Sequence, residues 1–209
     1  QFERPLEFIP AVTYNQSSTH GDGTLKSLGG QADFSLTGKL GLSSNLTLDA
    51  AYNPDFSQVE ADAGQMDVNL RYSIYYSEKR PFFLEGMENF NFATSMEQNT
   101  VGAVAYTRTI VDPLLGLKLT GKIGSRNVLS GIFALDEFPG DLAAEEGDGE
   151  RAGREAAFTI LRYKRQMSQD NYVGGFFTQR GFAGDRNRVG GVDGRWRLNR
   201  TSFLEYSAL

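Results

Sequence analysis

Residues 66–76 read Met-Asp-Val-Asn-Leu-Arg-Tyr-Ser-Ile-Tyr-Tyr. Met66, Val68, Leu70, Tyr72, Ile74 and Tyr76 occupy alternate positions, with Asp67, Asn69, Arg71 and Ser73 between them. Side chains of an extended strand point to opposite faces in turn, so this spacing predicts a strand with one apolar and one polar surface. Its length adds a second constraint. Strands of soluble proteins commonly run to about five or six residues, whereas a tilted strand needs about nine to eleven to cross a bilayer core. The stretch therefore predicts an antiparallel transmembrane β-barrel.

The same alternation recurs on both sides of this stretch. Ala32, Phe34, Leu36, Gly38 and Leu40 interleave with Asp33, Ser35, Thr37 and Lys39. Beyond a Gly-Leu-Ser-Ser-Asn turn at residues 41–45, Leu46, Leu48, Ala50 and Tyr52 interleave with Thr47, Asp49 and Asn53. Leu115, Leu117, Leu119 and Gly121 alternate with Lys118, Thr120 and Lys122, and Val192, Trp196 and Leu198 oppose Asp193, Arg195 and Arg197. Less polarised strands are expected at 6–14, 101–110, 127–136, 156–165, 171–180 and 201–209. This gives an all-β chain of about ten to twelve strands at hairpin spacing, read as a single domain over residues 1–209. Bacterial single-chain barrels have even strand numbers. The odd count of about eleven, with a strand pattern running to Leu209, predicts a segment of a larger barrel.

Composition fits this class. No apolar run of 18 residues occurs, so a helical span is excluded. A mean hydropathy of -0.38 is compatible with strands that show half their side chains to a polar lumen. The net charge of -5 argues against a nucleic-acid surface, which would need a basic stripe. Fifteen Phe, nine Tyr and one Trp would supply interfacial girdles, and the absence of cysteine decides nothing.

Connections are expected to sort by length. Short links are predicted at 41–45, 124–126, 167–170 and 199–200, and long polar ones at 15–30, 54–65, 137–155 and 181–188. With the first strand rising from the periplasm, the short set falls inside and the long set outside, as in outer-membrane barrels. Two links break this parity: 77–100 is long but periplasmic, and 111–113 is short but external. Residues 77–100 are expected to fold into the lumen, lie beneath the barrel, or hide a further strand.

Candidate functional residues follow from this geometry. Asp33, Lys39, Asp49, Asp67, Arg71, Lys118, Lys122, Asp193, Arg195 and Arg197 lie on polar strand faces, where they would line a lumen or pair across strands. Arg80-Pro81-Phe82-Phe83-Leu84-Glu85-Gly86 places two adjacent phenylalanines outside any predicted strand. They need burial, which makes Arg80, Pro81, Phe82, Phe83 and Glu85 a candidate plug or docking element, or a structural cap. Asp55, Glu60 and Asp62 are oxygen ligands in one loop but do not match a complete calcium loop. The Glu-Glu-Gly-Asp-Gly-Glu run at 145–150 reads as a solvated loop. Catalysis has little to build on: His20 is the one histidine, near Ser17, Ser18 and Asp22, and no Gly-x-Ser-x-Gly elbow occurs.

Two blocks carry a family resemblance: Asn53-Pro54-Asp55-Phe56-Ser57-Gln58-Val59-Glu60-Ala61-Asp62, and Glu78-Lys79-Arg80-Pro81-Phe82-Phe83-Leu84-Glu85-Gly86. With Tyr106-Thr107-Arg108, the block at 116–122 and Gly191-Val192-Asp193, they resemble a family of Gram-negative outer-membrane barrels, domain of unknown function 5916. Its members typically carry a module similar to family 9 carbohydrate-binding modules before a large barrel. The resemblance implies an outer-membrane location. It further implies that this chain lacks the sugar-binding module and the later barrel strands.

The expectation is a non-enzymatic pore, docking wall or envelope-complex scaffold linked to glycan handling. No cofactor or nucleic acid is expected; the expected partners are outer-membrane lipid, other envelope proteins and glycans. The alternatives are a soluble β-barrel or sandwich that binds with its apolar face inward, and an outer-membrane hydrolase centred on His20.

Overall fold

A computed structural model describes residues 4–21, 24–54, 56, 77–92, 106–137 and 155–209. Nine strands form one antiparallel meander: β1 (Leu6–Gly21), β2 (Thr24–Ser43), β3 (Leu46–Tyr52), β4 (Pro113–Ile123), β5 (Asn127–Asp136), β6 (Ala156–Gln166), β7 (Tyr172–Phe182), β8 (Asp185–Arg197) and β9 (Phe203–Ala208). Each strand pairs with its sequence neighbours, and β1 does not pair with β9, so the sheet is open rather than closed into a barrel. A four-residue helix α1 (Pro81–Leu84) and two short 3-10 turns, Met87–Phe90 and Thr107–Thr109, lie in the connection between β3 and β4. No helix among the described residues is long and apolar enough to cross a membrane.

The two faces of the sheet differ as the alternation predicts. Register places Phe8 opposite Gly38, Val12 opposite Phe34, Leu117 opposite Phe133, and Trp196 opposite Leu204. This face is bare: Phe8 is 62%, Val12 73% and Trp196 49% exposed. The other face is covered. Lys118, Ile132, Ile160, Arg162, Phe176 and Asp193 on it are buried. Its cover is the chain's own β3–β4 connection, which delivers Phe83, Phe90, Phe92 and Ile110 onto Ile132, Ala134, Phe158, Ile160 and Phe176. Strands β5 to β7 therefore carry apolar residues on both faces, which is why their sequences alternate less cleanly.

Several expectations are corrected. Residues 15–30 are not a long loop, because β1 runs to Gly21 and β2 begins at Thr24, with Gly21 opposite Thr24. Beyond Tyr52, which pairs with Leu36, the β1–β2 hairpin continues without β3 beside it. Residues 181–188 are likewise strand rather than loop. A turn at Ala183 and Gly184, with φ of 52° and 95°, joins β7 to β8. Two positive φ values in sequence give a two-residue hairpin turn whose twist matches the strands. Polar composition had suggested loops in both places, but backbone pairing does not depend on side-chain polarity. The strand expected at 101–110 is also corrected for its described half, where Thr107–Thr109 is a 3-10 turn and Ile110 is buried by covering the sheet.

The parity anomaly has a simple origin. β3 pairs directly with β4 from Leu46↔Gly121 to Tyr52↔Leu115, so the chain leaves the sheet after Tyr52 and re-enters it at Pro113 at the same end. Residues 66–76, with their long alternation, lie outside the described residues, as do Asp67 and Arg71.

Glycine is required where β4 passes the β2–β3 turn. Gly121 has φ of 146°, and a Cβ there would sit 2.0 Å from the Asn45 carbonyl oxygen. Gly121→Ala is expected to destabilise by about 2 kcal/mol or more, because both the backbone conformation and the available space exclude a side chain. A lowered midpoint of thermal or urea unfolding checks this, with Gly124→Ala, where nothing lies within 4 Å of the added carbon, as the milder comparison.

Candidate functional site

The site grows from Glu78-Lys79-Arg80-Pro81-Phe82-Phe83-Leu84-Glu85-Gly86. Pro81 occupies the first turn of α1, where its missing N–H costs nothing and its fixed φ suits a helix. Gly86, at φ of 75°, turns the chain into the Met87–Phe90 segment. Between these two residues, Phe83 is driven fully into the sheet while Leu84 and Glu85 face outward. Phe82 meets Phe83 edge to face, with ring centroids 5.0 Å apart.

Arg80 anchors this segment. Its Nε donates to Glu78 Oε1 at 2.8 Å, and its Nη2 donates to Glu78 Oε2 and to the Thr107 carbonyl, both at 2.8 Å. Nη1 donates to the Ile110 carbonyl, and the guanidinium lies 4.4 Å from the Phe83 ring centroid. Thr107 Oγ1 adds a 2.6 Å bond to Glu78 Oε2. Burial pushes the Glu78 carboxyl up, but hydrogen bonds from Arg80 and Thr107 outweigh it and hold the group below the usual glutamate range. A planar fork with five donors suits this arrangement, in which a single buried cation joins two distant stretches of chain.

A second constellation lies on three adjacent strands. Lys39, Asp49 and Lys118 stand directly opposite one another across β2, β3 and β4. Asp49 sits 3.4 Å from Lys118 and 3.9 Å from Lys39. Lys118 Nζ also donates to the Phe82 carbonyl at 2.6 Å, and Lys39 pairs with Glu85. The hydrogen bond from Lys39 lowers the pKa of Glu85. These contacts fasten α1 to the sheet, the buried Lys118 bond more firmly than the exposed Lys39–Glu85 pair.

Between α1 and strands β1 to β3 lies a cleft of about 900 Å³, lined among others by Ile9, Thr37, Lys39, Phe56, Phe82 and Glu85. It offers aromatic surface on one side and hydroxyl, amine and carboxylate groups on the other.

Further along the sheet, Arg162 Nη2 donates to Asp193 Oδ2 at 2.7 Å, and Tyr172 Oη donates to the same oxygen at 3.2 Å. Arg162 on β6 reaches Asp193 on β8 over Gly174 of β7. A Cβ at Gly174 would lie 2.6 Å from Arg162 Nη1 and 2.7 Å from Asp193 Oδ1. Arg195 pairs with Glu205, and Arg197 with Asp170 at 3.1 Å. Asp136 is buried and accepts the Val111 and Asp112 N–H groups at 2.9 and 2.8 Å, fixing the chain as it enters β4. Burial, together with Asp136 and Asp33 nearby, raises the pKa of Asp112.

The structure thus brings Lys39, Asp49 and Lys118 together with Phe82 and Glu85, and buries Asp193 in a separate pair. Lys122 is exposed, and Asp33 lies farther along β2, opposite Thr13. Asp55, Glu60 and Asp62 lie outside the described residues; His20 has its backbone in β1, not in a loop, and its side chain is not described. Glu78, Thr107 and Arg162 were not anticipated. Glu78 two residues before Arg80 is the one local signal; Arg162 required the strand register, and Thr107 the return of a distant chain segment.

Among family models, that described as Domain of unknown function (DUF5916) matches residues 4–108. The blocks at 53–62 and 78–86 and the Tyr106-Thr107-Arg108 triplet fall within it, whereas those at 116–122 and 191–193 lie beyond it. No curated protein and no solved structure matches the chain.

Arg80→Ala is expected to cost about 3–5 kcal/mol, since it leaves the Glu78 carboxylate buried without its cation. A denaturant midpoint measures this. The Glu78 contribution is complete above the ordinary glutamate value of 4.5 and is lost as pH falls through the lower folded value. Glu78→Gln should therefore be less stable at neutral pH but lose less stability on acidification, a difference that unfolding curves between pH 7 and pH 3 would reveal.

Proposed function

The chain belongs to the family of the domain of unknown function DUF5916, and we propose that it forms a wall segment of a bacterial outer-membrane β-barrel, plugged by its own residues 77–92. The observation that carries this reading is the orientation of the sheet. The apolar alternation faces outward and stays bare, while Lys39 and Lys118 on β2 and β4 and the buried cluster on β5 to β7 face the chain's own insert. A soluble module whose apolar face is its interior would need a second layer on that face, and the described residues place their covering segment on the opposite one. In hydrocarbon the bare face is the favourable one. Sheet edges have no place in lipid, so β1 and β9 would be completed by further strands in the assembled barrel.

The function is non-enzymatic. Lys39, Asp49, Lys118, Arg162 and Asp193 are engaged with one another or with the insert, which suits a wall and a fastened plug rather than acid–base chemistry. The cleft beside α1 is the place for a solute to dock or pass. Its aromatic and hydroxyl lining suits glycans, in keeping with the carbohydrate-binding modules that the family resemblance implies.

Trp196, the single tryptophan, tests the reading directly, because it is half exposed on the bare face. In lipid vesicles its emission should shift to shorter wavelength and be quenched strongly by bromine-labelled acyl chains. A monodisperse, detergent-free soluble monomer with water-exposed Trp196 would overturn the proposal. Separately, Lys118→Met should loosen the insert and raise solute flux through protein-containing vesicles by several-fold, because the bond to the Phe82 carbonyl is removed; unchanged flux would count against the plug.

A further inference from the structure

The chain is acidic overall, with a net charge of -5, yet its charges are not evenly spread. The short-turn end of the sheet is basic. Residues 122–126, 164–169 and 198–202 contain Lys122, Arg126, Lys164, Arg165 and Arg200 and no carboxylate. Of the carboxylates nearest these residues, Asp170 pairs with Arg197, Glu205 with Arg195 and Asp193 with Arg162. The opposite end is mixed, with Asp33, Asp112, Asp136, Glu137 and Asp185 beside Arg180, Arg186 and Arg188 of the β7–β8 hairpin.

Three of these cations are arranged in a line. Arg126 ends the β4–β5 turn beside the end of β6, where its carbonyl accepts the Gln166 N–H and its neighbour Asn127 pairs with Arg165, and Arg200 lies farther along in the β8–β9 turn. With strands about 4.8 Å apart, Arg126 and Arg165 are about one strand spacing from each other and Arg200 is two to three spacings beyond Arg165 along the rim. All three are exposed, and none forms an ion pair among the described residues. Arg165 continues the bare face of β6 two residues beyond Tyr163, and that face also ends in Trp196 and Tyr206 beside Ile123 and Leu198, all substantially exposed. Apolar surface, then amphipathic aromatics, then uncompensated cations is the order of chemistry met on leaving a bilayer for water.

We propose that this rim binds the phosphate groups of anionic phospholipids, with Arg126, Arg165 and Arg200 as the principal contacts. The inference rests on the membrane reading above and adds the lipid class and the end of the sheet that meets it. An acidic soluble protein would be met by the cations alone. The aromatic and apolar border favours a lipid surface, and long guanidinium side chains can reach phosphates while their stems remain on apolar surface.

The test compares insertion of the chain into vesicles of phosphatidylcholine alone and of phosphatidylcholine with phosphatidylglycerol, read by Trp196 emission and protease protection. The expected result is at least about tenfold stronger association with the anionic vesicles at low salt, shrinking as salt rises. R126Q/R165Q/R200Q should lose most of that preference while entering the neutral vesicles as before, and R126K/R165K/R200K should retain most of it. Equal insertion of the unaltered chain into both vesicles would overturn the rim proposal alone and leave an acidic protein as the partner. Failure to enter either vesicle would remove the membrane reading, and the rim proposal with it.

Discussion

The buried guanidinium of Arg80 is the interaction on which the rest of the described structure depends. It bonds to Glu78 two residues before it and to the carbonyls of Thr107 and Ile110 about thirty residues after it. By joining those stretches it closes the β3–β4 connection onto the sheet and sets the positions of Phe83 and Ile110. Those two side chains complete the aromatic and aliphatic cluster on β5 to β7. Without the cation, Glu78 would be a buried charge with no compensation. Without the cover, Ile132, Phe158, Ile160 and Phe176 would be bare on one face while the neighbouring strands are bare on the other.

This arrangement reverses the usual logic of a β-sheet core. The hydrophobic cluster forms on the face that also carries charges, and the regular apolar alternation is left outside. Two kinds of contact make this possible. Charges on the covered face are neutralised across strands, as in the Lys39–Asp49–Lys118 row and the Arg162–Asp193 pair. Backbone carbonyls of the insert accept the remaining donors, as Phe82 does from Lys118. Small residues supply the space: Gly174 lets Arg162 and Asp193 meet, and Gly116 leaves room for the Phe82 ring.

Much of the sheet was legible in the sequence. A period of two over β2, β3, β4 and β8 identified the strands and assigned Lys39, Asp49, Lys118 and Asp193 to the polar face. The doubled phenylalanine after Arg80 marked a segment that had to be buried. Polarity does not prevent pairing: β1 and β2 extend through Ser, Thr, Asn and Gly residues, and β7 joins β8 through Ala183 and Gly184. The strand expected at 101–110 differs likewise over 107–110, because a covering coil buries Ile110 as well as a strand would.

By itself, then, the sequence determined that this is an antiparallel sheet with two chemically distinct faces and an aromatic segment bound for burial. These properties follow from side-chain spacing, which strand geometry translates directly into faces. Tertiary structure decided which face would be covered and by what. Register set Lys39, Asp49 and Lys118 in one row, and placed Arg162 within reach of Asp193 over a glycine. Distant chain segments brought Glu78 and Thr107 to Arg80. Such contacts depend on how strands align and where a long connection returns, and local periodicity carries no record of either.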